Sequence, residues 1–373
     1  MKKRITAAGL LSLTLLSTLS HVQAASPDKY FGVIELGSKG IKAIVVEDKG
    51  RDASKAFIPP LMVEEFKPRN KNCYDGDTSD NVAKEVQGIS KAMKEKYNMP
   101  LSQIYLVMSS GIPTAVKDRI DNKVTGIEVD RIDVATESRL VFQGIVPPNR
   151  LHKNEVVVLD IGSGNSKGAY IDPDGADNNT FVTFAFEKDA PSGTGTFAKE
   201  VAATKQNGES LKAVAERIAG EKLLGPLQSM IRNKPGMQNC SRLYLAGGLP
   251  YVMTTLLHPE KIGSIDPEDP TGKKTSDWVK LSSADINRFY EIATTNPAQL
   301  LSADGSKLRK EAADELDRVK GIFGQDELTA GAVLLKMFMD NMHAERKEGI
   351  FFSRRALFAW PQGYVKEKLA ARP

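Results

Sequence analysis

Apolar and polar positions along the chain fall into strand-length runs and helically spaced sets, and one arrangement occurs twice. Phe31-Gly-Val-Ile-Glu35-Leu is an apolar run that closes on an acid, turns through Gly37-Ser38-Lys39-Gly40 and resumes from Ile41 to Val46. Glu155-Val-Val-Val-Leu-Asp160-Ile repeats this, turning through Gly162-Ser163-Gly164-Asn165-Ser166-Lys167 before Gly168 to Ile171. Each predicts a β-hairpin with a carboxylate near its tip and a small-residue turn whose backbone N–H groups can face outward. Phe57 to Phe66 and Ile104 to Met108 read as further strands, and Leu243 to Ala246 as one running into Gly247-Gly248. Val82, Val86, Ile89 and Met93 recur at helical spacing. Ser282-Ser-Ala-Asp285 has the form of a capping box opening a helix with Ile286, Phe289, Tyr290 and Ala293 on one face. Asp266 to Asp277, rich in Pro, Gly and Lys, reads as an exposed loop. The alternation predicts an α/β chain of two similar domains, 25–150 and 151–345, joined near Pro147-Pro148-Asn149-Arg150. A last segment, 346–373, packs back on the first domain.

The first 24 residues do not fit that repeat. Lys2-Lys3-Arg4, the apolar stretch Ile5 to Leu19 and Val22-Gln23-Ala24 have the form of a bacterial secretory signal cleaved after Ala24, which predicts a periplasmic or secreted protein. The apolar stretch is too short and too rich in Ser and Thr for a stable membrane anchor. Losing Lys2, Lys3 and Arg4 takes the formal net charge from +4 to +1, which leaves no global field for nucleic acid or an anionic membrane. Export permits a bridge between Cys73 and Cys240, or two unpaired thiols. His152, His258 and His343 are isolated in the sequence, and no Cys/His run has zinc spacing.

Two glycine turns at the heads of two similar domains suggest hairpin tips that close on one polyphosphate and its metal. The order hairpin, helix, strand, linker, second hairpin and strand-Gly-Gly resembles the actin-like ATPase and sugar-kinase superfamily. Within it, Thr136-Glu137-Ser138-Arg139-Leu140, shortly before the second hairpin, resembles the Glu-Ala-Arg-Leu segment of the exopolyphosphatase and guanosine pentaphosphate phosphatase (Ppx/GppA) family. Asp326-Glu-Leu-Thr-Ala330-Gly331-Ala332 resembles a helix start of the same family. The resemblance runs from Phe31 to about Ser353 and implies two actin-like (ribonuclease H-like) domains with an interdomain cleft, in the short two-domain form.

The resemblance implies an enzyme that releases orthophosphate from inorganic polyphosphate or a guanosine pentaphosphate-type nucleotide. Hydrolysing a phosphoanhydride requires neutralised phosphate oxygens and a water aimed in line. The backbones of Gly37, Ser38 and Lys39 and of Gly162, Ser163, Gly164 and Asn165, with Lys167, would hold phosphate. Asp160 and Glu35 would hold Mg²⁺ or Mn²⁺, and Glu137 would orient or deprotonate the water. Arg69, with Lys67 and Lys71, forms a basic loop suited to the distal end of an anionic chain. The sequence departs from the family pattern at Glu35, Lys39 and Lys167, where the family carries Asp, Asn and an acid. Those departures keep a catalytically diverged anion-binding protein open beside the hydrolase, as the fold keeps open an actin-like ATPase. The chain is compatible with a homodimer.

Overall fold

In the computed structural model each of the two hairpins starts a sheet. The structure describes residues 29–51, 61–69, 79–121, 127, 129–146, 153–173, 175, 180–262 and 278–372. The secretory leader, the linker at 147–150, His152, Cys73 and the loop 266–277 lie outside the described residues. No described helix is long and apolar enough to cross a membrane.

The first sheet holds β1 (Tyr30–Gly37), β2 (Gly40–Glu47), β3 (Leu61–Arg69), β4 (Ile104–Met108) and β5 (Val129–Arg131) in the order β3-β2-β1-β4-β5. The second holds β6 (Val156–Ile161), β7 (Ser166–Ile171), β8 (Phe181–Ala185), β9 (Arg242–Ala246), β10 (Trp278–Leu281) and β11 (Gly349–Ser353) in the order β10-β11-β9-β6-β7-β8. Read from β8, the second sheet repeats the first: three antiparallel strands, then two parallel ones, with β10 added at the far edge. This is the duplicated ribonuclease H-like α/β architecture expected from the sequence.

The helices are α1 (Ser79–Tyr97), α2 (Thr114–Asp121), α3 (Val134–Ile145), α4 (Thr194–Thr204), α5 (Leu211–Ile218), α6 (Gly225–Asn233) and α7 (Gly236–Asn239). They continue with α8 (Gly248–Leu257), α9 (Ser283–Thr295), α10 (Pro297–Leu301), α11 (Lys310–Ile322), α12 (Gln325–Asn341) and α13 (Ala359–Ala370). α1 buries Val82, Val86, Ile89 and Met93, the stripe read from the sequence, and Ser282 caps α9 in a capping box with Asp285.

β1 is buried from Phe31 to Gly37 because both its faces are covered, and Glu35 is the one charged residue in it. Ile34 and Leu36 pack toward α1 and α2, whereas Phe31 and Val33 face a larger core continuous with that of the second sheet. Strand alternation puts Glu35 on the Phe31–Val33 face.

That face is closed by the end of the chain. After β11 joins the second sheet, α13 packs on α3 and β1. Tyr364 donates to Asp130 at 2.7 Å, Glu367 pairs with Arg139, and the Arg372 guanidinium lies over the Phe31 ring at 4.0 Å. α3 and α13 approach backbone to backbone. A Cβ on Gly144 would stand 1.8 Å from the Ala359 carbonyl oxygen, and one on Gly363 2.3 Å from that of Leu140.

Gly144→Ala should therefore push α13 off α3 and cost about 1–3 kcal/mol. The urea midpoint should fall with the slope unchanged; a midpoint equal to wild type would show that the two helices have room to part.

Candidate functional site

The acids of the two hairpins are placed by strand register. In the first hairpin Glu35 lies directly opposite Lys42, and in the second Asp160 lies directly opposite Lys167. Opposed residues of an antiparallel pair sit on one face within side-chain reach. The Lys42 ammonium is 2.8 Å from Glu35 Oε2 and also donates to the Leu357 carbonyl at 2.9 Å. The Lys167 ammonium is 3.1 Å from Asp160 Oδ2 and 3.0 Å from Glu137 Oε1, and it donates to Asn165 Oδ1 at 3.1 Å. Glu137 and Lys167 are only 1% and 2% exposed.

Glu137 stands in the first turn of α3, whose N-cap Asp133 accepts from the Thr136 amide. Its Oε2 accepts from the Ser110 amide at 2.7 Å, and Ser109 Oγ donates to Oε1 at 3.1 Å. Burial is the strongest influence on this carboxyl and pushes its pKa up. The Lys167 charge and the Ser110 bonds outweigh it together, so the group is held below the ordinary carboxylate range. Burial prevails at Glu35 instead: its pKa is raised although Lys42 pulls it down, and the Glu137 charge adds to the rise. Lys167 is raised despite burial, because Asp160 and Glu137 both favour its charged form.

The segment after β4, Ser109-Ser110-Gly111, joins the two hairpin tips. Ser38 Oγ donates to the Gly111 carbonyl at 3.4 Å, and Asn165 Nδ2 donates to Ser110 Oγ at 3.0 Å. Only glycine fits at 164: a Cβ there would stand 2.5 Å from the Gly111 carbonyl oxygen and 2.8 Å from Ser38 Oγ. The tips are thus in contact.

The loop between β6 and β7 is turned by the start of α4. The amide of Thr194 donates to the Gly162 carbonyl at 2.9 Å, and those of Gly195 and Thr196 to the Ser163 carbonyl at 2.9 and 3.1 Å. Thr196 Oγ1 donates to the Gly164 carbonyl at 3.2 Å. A trans peptide points its carbonyl and the following N–H in opposite directions, and none of the described peptide bonds is cis. With three carbonyls turned to α4, the amides of Ser163, Gly164 and Asn165 face away from it. That direction suits them to an anion.

A cleft of about 140 Å³ opens over these groups. All the expected site residues line it, namely Glu35, Gly37, Ser38, Lys39, Glu137, Asp160, Gly162, Ser163, Gly164, Asn165 and Lys167, except Arg69. The Arg69 backbone pairs with Ile41 at the end of β3; its side chain and that of Lys67, like Lys71 as a whole, lie outside what is described. Charged groups lining the cleft are Lys39, Lys42, Lys167 and Arg318 with Glu35, Glu137 and Asp160, and each cation has an acid partner: Glu327 for Lys39, Glu35 for Lys42, Glu137 and Asp160 for Lys167, and Glu315 for Arg318. Lys39 ties the first tip to Glu327 of α12 and lies 4.4 Å over the Phe323 ring. A second cavity of about 560 Å³ adjoins the cleft, sharing Ser38, Lys39, Ser163 and Ile322 with it.

Lys42, Ser109 and Ser110 were not among the expected site residues. Lys42 could have been found from the two-residue turn alone, which fixes it opposite Glu35. The serines carry no such signal, because only the fold brings them to Glu137.

The carboxylates as placed do not fit the expected Mg²⁺ or Mn²⁺. Glu35 and Asp160 are each matched by their own lysine, and the ammonium of Lys167 holds the space between Asp160 and Glu137. Among the described residues no group of three or more His, Cys, Asp or Glu is arranged to hold a metal ion. Cys240 is a buried free thiol whose pKa burial raises to about 11. His258 is held by Asp285 at 2.8 Å.

No family model matches the sequence, and no curated protein matches it. Solved structures match the fold. An exopolyphosphatase from Cytophaga hutchinsonii superposes with a TM-score of 0.59 at 14% identity, covering 92% of this chain and 99% of that one. The type II variant of the Aquifex aeolicus Ppx/GppA phosphatase gives 0.54 at 14% identity, covering 91% and 99%. An exopolyphosphatase-like protein gives 0.59 at 13% identity, covering 91% and 99%. The likeness is one of fold, and the fold is that of the Ppx/GppA phosphatases.

Lys167→Met should leave Glu137 and Asp160 buried without their cation and cost about 3–5 kcal/mol at pH 7. In the wild type the folded pKa of Glu137 lies below its unfolded value of 4.5, so its contribution is present above pH 4.5 and is lost as pH falls through the folded pKa. In the variant burial dominates, the folded pKa moves above 4.5, and stability is regained as pH falls through it. The gap between the two urea midpoints should therefore narrow from pH 7 to pH 4.5. A gap that does not change with pH would contradict this charge assignment.

Proposed function

We propose that the chain is a phosphoanhydride hydrolase of the exopolyphosphatase type, releasing orthophosphate from the end of inorganic polyphosphate or of a guanosine pentaphosphate-type nucleotide. The observation that carries this reading is a buried carboxylate, Glu137, neutralised by Lys167 and set in one cleft with the outward amides of Ser163, Gly164 and Asn165. The shared fold supports it, although a fold alone does not determine chemistry. A leader at residues 1–24, cleaved after Ala24, would place the activity outside the cytoplasm, where polyphosphate is a readier substrate than ATP.

In this reading the terminal phosphoryl group sits between the first hairpin tip and the amides of Ser163, Gly164 and Asn165. Phosphoryl transfer passes through a loose transition state with charge spread over the equatorial oxygens, so positioning and fixed positive dipoles do most of the work. The oxygen of a water accepted by Glu137 attacks phosphorus, and the bridging P–O bond breaks toward the remaining chain. One water proton passes by way of Glu137 to the phosphate products. Lys42 and Lys167 offset the charges of Glu35, Glu137 and Asp160, so the bound anion meets the amides of the loop rather than bare carboxylates, and the adjoining cavity gives the rest of the chain room beyond the terminal phosphate.

One observation favours a second reading, binding without turnover. Lys167, Ser109 and Ser110 all stabilise the anionic form of Glu137, which makes it a weak base.

Phosphate release separates the two. Glu137→Gln should lower kcat on polyphosphate by about 10²- to 10⁴-fold while leaving the affinity for tripolyphosphate within about threefold of wild type. Wild-type protein that binds tripolyphosphate but frees no orthophosphate from polyphosphate, ATP or guanosine pentaphosphate would establish the second reading instead.

A further inference from the structure

We propose that Lys167 is the resident cation of this cleft, and that anion binding here needs no divalent metal. The proposal concerns the same site and rests on the phosphoanhydride reading of it.

Two buried carboxylates facing one cleft would repel a phosphate chain unless a cation lay between them. A metallohydrolase meets that requirement with a divalent ion. Here a side chain meets it. The ammonium of Lys167 stands 3.0 Å from Glu137 Oε1 and 3.1 Å from Asp160 Oδ2, bridging a carboxylate on α3 and one on β6. A Mg²⁺ ion ligating those two oxygens at about 2.0–2.1 Å would have to occupy the volume that the ammonium fills. The other oxygen of Glu137 is engaged by the Ser110 amide at 2.7 Å.

The coordination of Lys167 is complete. An ammonium has three donors, and this one has three acceptors: Glu137, Asp160 and Asn165 Oδ1 at 3.1 Å. The Asn165 amide is oriented by its own bond to Ser110 Oγ at 3.0 Å, which leaves its oxygen for Lys167. Lys167 therefore does not reach for the substrate. It neutralises the two carboxylates in place, and the phosphate oxygens are received by the amides of Ser163, Gly164 and Asn165.

The first hairpin repeats the device. Lys42 faces Glu35 in the same register relation in which Lys167 faces Asp160, so each candidate metal ligand among the hairpin acids has a lysine directly across the ladder. A divalent ion at either acid would have to displace a tethered cation of its own hairpin. At the second hairpin that cation is fully buried, and its displacement would strand an ammonium inside the protein.

Two measurements on the intact chain test this. Calorimetric titration of wild-type protein with tripolyphosphate in EDTA should show saturable binding. Titration with Mn²⁺ alone, followed by electron paramagnetic resonance, should show no Mn²⁺ whose binding is lost in Asp160→Asn. Lys167→Glu should weaken tripolyphosphate binding in EDTA by about 100-fold or more and should acquire a Mn²⁺ site. Lys167→Gln should lose affinity in the same direction without acquiring that site. Tripolyphosphate binding by wild type that vanishes in EDTA and returns with Mg²⁺ would overturn the proposal, as would a wild-type Mn²⁺ site lost in Asp160→Asn. The wild-type arms decide the matter if a variant does not fold. Wild type that binds no tripolyphosphate under any condition would end the phosphoanhydride reading. The resident-cation assignment would then stand or fall on the Mn²⁺ titrations alone.

Discussion

A single buried ammonium holds the centre of this molecule together. Lys167 lies between Asp160 on its own hairpin and Glu137 on the helix that follows the first sheet, and it supplies the countercharge that both acids face at that depth. Removing one partner of such a group leaves an uncompensated charge inside the protein, which is far more costly than losing a surface pair. The placement of α3, the orientation of the glycine loop and the contact between the hairpin tips are all tied to this point. Asn165 serves both Lys167 and Ser110, and the segment carrying Ser110 reaches Ser38 through Gly111.

The surrounding packing keeps that point rigid. α13 returns from the second sheet to lie on α3 through glycine contacts too close for any side chain, and it covers the face of β1 that carries Glu35. Lys39 fastens the first tip to α12. The cleft is consequently lined by groups whose positions are set before a ligand arrives, which is the condition under which fixed dipoles and charges act on a transition state without reorganising.

Much of this was legible in the sequence, because it depends on local pattern. The hairpins, the α1 stripe, β4 and the capping box of α9 each rest on periodicity or turn chemistry within a few residues, and each stands where the pattern puts it. Glu137 and the glycine loops were recognisable as a set, although nothing in their spacing says that they converge. The acid–lysine pairing lay one step further. Counting back from the two-residue turn places Lys42 across from Glu35, but the four residues between Ile161 and Ser166 admit more than one register, so the partner of Asp160 needed the structure. A sequence comparison reads Lys167 as a lost acid, whereas in space it is a gained cation. Ser109, Ser110 and the return of α13 depend on contacts between distant parts of the chain and leave no local trace.

The central claim, that the hairpin tips and a lysine-neutralised carboxylate pair form one phosphate site, is tested most directly by a crystal structure of the protein grown with tripolyphosphate in the presence of EDTA. A terminal phosphate on the amides of Ser163, Gly164 and Asn165, with the Lys167 ammonium still between Glu137 and Asp160, is the expected result. Tripolyphosphate bound away from the hairpin tips, or Lys167 swung out of the carboxylate pair to admit it, would contradict the account.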